Sequence, residues 1–182
     1  MRLAARLINI LLFWKRKEKD GFYHFEIKKG AHRSCAAIRY TESKSIEFEA
    51  TFDDTFEYKT DDPQNQEDVN KLFGISDGFS HIRNSARIGW RCLDGRLEIL
   101  AYTHFDGAFE FQKICDAKPG ESILCRIDLA DGGYAFSAGG KNICMRRHPK
   151  KSGMNYYLWP YFGGDEPAPR SISIKIRPLK GW

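Results

Sequence analysis

No C-x-x-C pair occurs in this 182-residue chain, and its five cysteines, Cys35, Cys92, Cys115, Cys125 and Cys144, are odd in number and widely spaced. That argues against a zinc site or a disulfide framework and leaves packed, reduced thiols as the expectation. The G-x-G-x-x-G and P-loop patterns are missing, so nucleotide binding through them is not expected. G-x-S-x-G and H-E-x-x-H are missing too. No dense Lys/Arg tract interrupts the strand-like sequence, and 29 basic against 24 acidic residues leave a net charge of only +5. Nucleic acid is therefore not an expected partner. The one apolar run near the start, Leu7 to Trp14, falls far short of the ~20 residues that span a bilayer.

That run has its own period. Leu3, Leu7, Ile10, Leu11 and Trp14 fall on one helical stripe, with Arg2 and Arg6 near its start. Residues 1–20 are expected to form a short amphipathic helix and a basic connector. Such a helix would dock on the domain, on a protein partner or on a second copy of the chain; contact with a membrane surface is the weaker alternative. Lys15, Arg16 and Lys17 follow instead of a small-residue cleavage site, so a cytoplasmic protein, not exported through a cleaved signal peptide, is expected.

What the chain does have is hydrophobic and aromatic content, 42% and 14%, enough for a full core. From residue 21 onward the pattern has period two. In "SIEFEATF", Ile46, Phe48, Ala50 and Phe52 share one face and Glu47, Glu49 and Thr51 the other. "SILCRIDL" and "SISIKIRP" alternate in the same way. Turn signals recur between such runs, among them Asp94-Gly95, Asp106-Gly107 and Gly139-Gly140. About eleven strands in one domain, 21–182, predict an all-β, two-sheet antiparallel sandwich of jelly-roll type. The polar stretch 59–70 is expected to be a surface loop.

The segment "NSARIGWRCLDGRLEILAYTH" (84–104) carries the most information. Asp94-Gly95 marks a two-residue hairpin turn. Counting outward pairs Leu93 with Arg96, Trp90 with Ile99 and Ser85 with His104. One face then holds Ala86, Ile88, Trp90, Cys92, Leu97, Ile99 and Ala101, a core face. The other holds Arg87, Arg91, Glu98, Tyr102 and His104, with Gly89 leaving room beside them. Arg91 opposite Glu98 predicts an ion pair, and Arg87 opposite Tyr102 a stacked or hydrogen-bonded pair. His81 and Asn84, just upstream, are placed at the rim. Such a face suits an acidic or hydroxyl-rich ligand, since guanidinium holds carboxylate bidentately and aromatic rings stack on sugar faces. The simpler reading is the solvated outer side of a sheet. In "YYLWPYFGGDEPAPR", Asp165 and Glu166 are weak candidates for a structural Ca²⁺ loop; otherwise no cofactor is expected.

The combination of "KLFGISDGFSHIRNSARIGWR", "LEILAYTHFDG" and "LWPYFGGDEPAPRSISIKI" resembles a family of bacterial β-sandwich proteins without an assigned activity. In architecture it is similar to the concanavalin A-like lectin/glucanase superfamily, which includes carbohydrate-binding modules and alginate-lyase-type polysaccharide lyases. That resemblance implies a ligand on the concave face of the larger sheet. It is incomplete. The E-x-D-x-x-E strand of the glucanases is absent. Of the R-x-E-x-R, Q-x-H and Y-x-K-x-G-x-Y strands of the alginate lyases, only the arginine spacing of the first recurs, at Arg87 and Arg91, with Gly89 in place of the acid. The leading expectation is therefore a non-catalytic, lectin-like module for a carbohydrate or other polar polymer. A lyase acting on a uronic-acid polymer is the first alternative, with His104 or His81 as base, Tyr102 as acid and Arg87 with Asn84 neutralising the carboxylate. A small assembly protein using the N-terminal helix is the second.

Overall fold

The computed structural model describes residues 18–34, 37–149 and 154–181. The expected N-terminal helix, Cys35 and Trp182 lie outside the described residues. The chain forms two six-stranded antiparallel sheets packed face to face, a β-sandwich as expected from the period-two pattern.

Sheet one has the order β1 (Tyr23–Ile27), β12 (Ile172–Lys180), β3 (Ser45–Phe52), β8 (Ile123–Ala130), β9 (Gly133–Ala138), β10 (Lys141–Arg146). Sheet two has the order β2 (Tyr40–Thr41), β11 (Asn155–Leu158), β4 (Asn70–Ser76), β5 (Ser85–Leu93), β6 (Arg96–Phe105), β7 (Ala108–Ala117). Twelve strands are thus described against about eleven expected. The additional one is β4. Its sequence does not alternate, because a register shift between Lys71 and Phe73 carries both Leu72 and Phe73 into the interior. The acidic stretch before it folds as two short 3-10 turns, Asp54–Phe56 and Pro63–Glu67.

The core lies between the sheets and is heavily aromatic. Phe48 meets Phe73 edge-on at 5.1 Å between ring centroids, and Phe52 meets Trp90 at 5.1 Å. Tyr157, Trp159 and Phe162 of the "YYLWPYF" segment are also buried there, so three of its five aromatics pack inward.

The two outer faces differ. On sheet one, Arg126 pairs with Glu47 and Asp128, Arg177 with Glu49, and Lys175 with Glu18 just before β1, a set of partly exposed ion pairs that is the ordinary wet side of a sheet. On sheet two, β5 is buried on both sides. Arg87 is only 8% exposed, Glu98 3% and Tyr102 6%. A polar sheet face folded away from bulk water needs another explanation than solvation.

Candidate functional site: a cationic, tyrosine-lined groove

The β5–β6 hairpin adopts the register read from its turn, from Leu93↔Arg96 through Trp90↔Ile99 to Ser85↔His104. Asp94 (φ 52°) and Gly95 (φ 71°) both take the left-handed conformation that a two-residue turn of this kind requires. The hairpin therefore sets Arg87, Tyr102 and His104 on one outer face. Lys71 of β4 and Tyr156 of β11 join them from the neighbouring strands.

A groove of about 610 Å³ opens above these residues. Its floor and walls include Lys71, Arg87, Tyr102, His104, His81, Tyr156, Tyr161 and Arg33, with Ile38, Tyr40, Phe79 and Ile82 at the lip. Among the described residues, none that lines it is an Asp or Glu. Arg87 Nε is buried without a hydrogen-bond partner. Burial holds the Arg87 guanidinium at about 10, low for arginine but charged at neutral pH. Burial, followed by the nearby Arg87 charge, brings Lys71 down to about 8. Lys71 Nζ donates to the Val69 carbonyl at 2.7 Å and stands 4.5 Å from the Tyr102 ring centroid.

The histidines feel the same field. His104 is pushed down to about 4 by burial first, then by Arg87, Lys71 and His81. His81 is lowered by burial, Arg87 and Arg33. Both are neutral at pH 7. The hydrogen bonds assign the tautomer of His104. Ser85 Oγ donates to the His81 carbonyl at 2.7 Å, so towards His104 Nδ1, 3.3 Å away, it can only accept. His104 then carries its proton on Nδ1 and keeps a free lone pair on Nε2. The Tyr156 hydroxyl accepts from the His81 backbone N–H at 3.2 Å, shares a 2.7 Å hydrogen bond with His81 Nδ1 and donates to the Phe79 carbonyl at 3.5 Å, which fixes the His81 ring at the groove wall. Burial raises the Tyr102 phenol, which keeps its proton on. The turn bearing His81 is anchored by a buried pair: Arg147 donates to both oxygens of Asp77, at 2.7 and 2.9 Å, and Tyr134 adds a third bond at 2.9 Å.

Other expected residues stand elsewhere. Arg91 and Glu98 pair at 2.8 Å, and Glu98 also accepts from Lys113 at 2.7 Å. Neither lines the groove. A small apolar cluster of Val69, Leu100 and Tyr102 separates them from Arg87. The space expected above Gly89 is filled: a Cβ there would lie 2.5 Å from Val69 Cγ1. The position that the alginate-lyase strand pattern gives to an acid is thus occupied by Val69, and Arg87 has no glutamate beside it on its own strand. Asn84 is a turn residue outside the lining, its side-chain oxygen accepting from the Asp106 amide at 3.1 Å. Glu166 accepts from the Asp61 and Asp62 amides and from Asn65. Among the described residues no group of three or more His, Cys, Asp or Glu could hold a metal ion.

Lys71, Tyr156, Tyr161 and Arg33 were not expected from the sequence. Lys71 belongs to the strand whose alternation the bulge hides. Arg33 and Tyr161 meet in an isolated bridge between distant segments, which no local pattern signals.

The class of protein is thus a jelly-roll sandwich with a groove on one outer face, and solved structures share that fold. No protein-family model matches the chain, and no curated protein matches it by sequence. Alginate lyase AlyC3 in complex with dimannuronate superposes with a TM-score of 0.65 at 7% identity, covering 90% of this chain and 75% of that one. Alginate lyase A1-II', a member of polysaccharide lyase family 7, gives 0.55 at 11% identity over 90% and 80%. The alginate lyase from Alteromonas sp. 272 gives 0.55 at 9% identity over 88% and 87%. At such identities the likeness is one of fold. It corrects the leading expectation all the same: these fold neighbours are lyases and not lectins, so the non-catalytic, lectin-like module is set aside. The physical reason lies in the groove, where a desolvated cation stands among neutral acid–base groups.

Proposed function

We propose that this protein is a polysaccharide lyase that cleaves a uronic-acid polymer by β-elimination. The observation that carries this reading is Arg87, a buried guanidinium whose Nε has no partner among the described residues, in a groove whose described lining has no carboxylate of its own. A buried cation is costly unless an anion completes it. A bound uronate supplies that anion.

The groups match the steps. Arg87 holds the sugar carboxylate and stabilises the charge that builds on it as the adjacent C5 proton leaves. His104 Nε2 takes that proton. The Tyr102 hydroxyl, whose ring lies 5.3 Å from that of His104, gives its proton to the glycosidic oxygen on C4. The C4–O bond breaks and a C4–C5 double bond forms. The proton on His104 then returns to the Tyr102 phenolate, directly or through water, and no other reactant is consumed. Burial and the neighbouring cations together set the low pKa of His104. A carboxylate beside Arg87 and Lys71 offsets the charges that depress it, so the base strengthens when substrate binds.

The test is incubation with polymannuronate, polyguluronate, polygalacturonate and glucuronate-containing polymers, following ultraviolet absorbance of the unsaturated product. Absorbance should rise with at least one of them and vanish in His104→Ala. No rise with any polyuronate overturns the reading.

A further inference from the structure

Beyond the groove, the edge strand β7 leaves two large aromatic rings uncovered on the same face. Phe109 is 62% exposed and Phe111 44%. They pair across the ladder with His104 and Tyr102 respectively. The Phe109 ring lies parallel to that of Tyr102, centroids 6.0 Å apart and planes 7° apart. Arg91 stands 5.9 Å from the Phe111 centroid. Most alternating residues of an antiparallel sheet that face water are polar, and edge strands commonly carry charges that discourage strand addition. A pair of exposed phenylalanines continuous with a groove marks a binding surface.

We infer that Phe109 and Phe111 form an outer subsite on which further sugar residues of the same polyuronate chain stack, which makes the protein an endo-acting enzyme selective for long chains. This rests on the lyase reading of the groove. Three observations favour a sugar chain as occupant. The platform begins at Tyr102, the group assigned as acid, so a chain cleaved there must leave the groove over it. From Tyr156 on β11 to Phe111 on β7 the track crosses four strand spacings, about 19 Å at ~4.8 Å each, room for several sugar residues. Flat apolar rings match the apolar faces of a sugar, on which such rings stack.

The experiment compares the wild type with Phe109→Ala/Phe111→Ala. Both rings are exposed, so the variant is expected to fold with an unchanged melting temperature and particle mass. On the polymer its kcat/KM should fall about tenfold, the loss typical of truncating an important contact, while kcat/KM on the shortest cleavable oligomer stays within about twofold, too small a change to count as a lost contact. Equal activity on both substrates, or an equal loss on both, overturns the outer subsite and leaves the lyase reading standing. A change in particle mass overturns it in favour of pairing between two copies along β7. Absence of cleavage by the wild type overturns the lyase reading, and the subsite falls with it.

Discussion

Replacing Arg87 by Met separates what is built for stability from what is built for chemistry. Arg87 is 8% exposed, its Nε has no partner, and burial takes its pKa from 12.5 to about 10. That drop corresponds to about 3 kcal/mol against the charged form in the fold. Replacing a buried charge by an apolar side chain of similar length stabilises by about 1–4 kcal/mol in comparable cases. Arg87→Met is therefore expected to be the more stable protein, by about 1–3 kcal/mol. For a chain of this length that raises the melting temperature by roughly 3–10 °C. Activity should move the other way, by at least about 10²–10³-fold in kcat, the usual loss of a preorganised electrostatic group. Differential scanning calorimetry and the elimination assay on one preparation measure both. A variant less stable than wild type, or one that retains activity, refutes the assignment of Arg87 as an anion-binding group held ready at a cost in stability.

The remaining expectations are narrower. The acid limb of kcat/KM, which reports the free enzyme, should lie near pH 4, set by His104, and the limb of kcat should lie higher because bound carboxylate raises that group; coincident limbs would remove the coupling. His104 also bears on stability. Its folded pKa of about 4 lies below its ordinary 6.5, so between those values the unfolded chain binds the extra proton. That contribution is complete above pH 6.5 and lost as pH falls through 4, and His104→Gln should flatten this part of the melting curve. Gly89→Ala forces a Cβ against Val69 Cγ1 at 2.5 Å and should cost about 1–3 kcal/mol in urea denaturation; an unchanged midpoint would mean that Val69 does not fill the site. Tyr156→Phe removes the hydroxyl that bonds both the His81 backbone N–H and His81 Nδ1, loosening that ring at the groove wall, so KM should rise more than kcat falls; a pure kcat effect would make Tyr156 the acid in place of Tyr102.

The hairpin was legible to the residue because two local signals agree there: a turn dipeptide that tolerates positive φ, and strict alternation outward from it. That alone placed Arg87, Tyr102 and His104 together. The sandwich was legible for the same reason, since Ile46–Phe52, Ile123–Leu129 and Ile172–Ile176 alternate without interruption. β4 was not. Its bulge puts Leu72 and Phe73 inward in succession, so the period fails where Lys71 enters the groove. The distinction between Arg87 and Arg91 was also out of reach. Both lie on one strand face four residues apart, and only the packing of Val69 and Leu100 divides the guanidinium with an unpartnered Nε from one already satisfied by Glu98. The neutral histidines depend on burial first and then on charges brought from two strands, a turn and the Arg33 segment, a sum that no window of sequence contains.

The measurement that bears most directly on the central claim is the mass of the products formed from a polyuronate. Elimination predicts that each new non-reducing end lacks one molecule of water relative to a hydrolytic fragment and absorbs in the ultraviolet. Fragments carrying the added water, or an intact polymer after prolonged incubation with the wild-type protein, would contradict it.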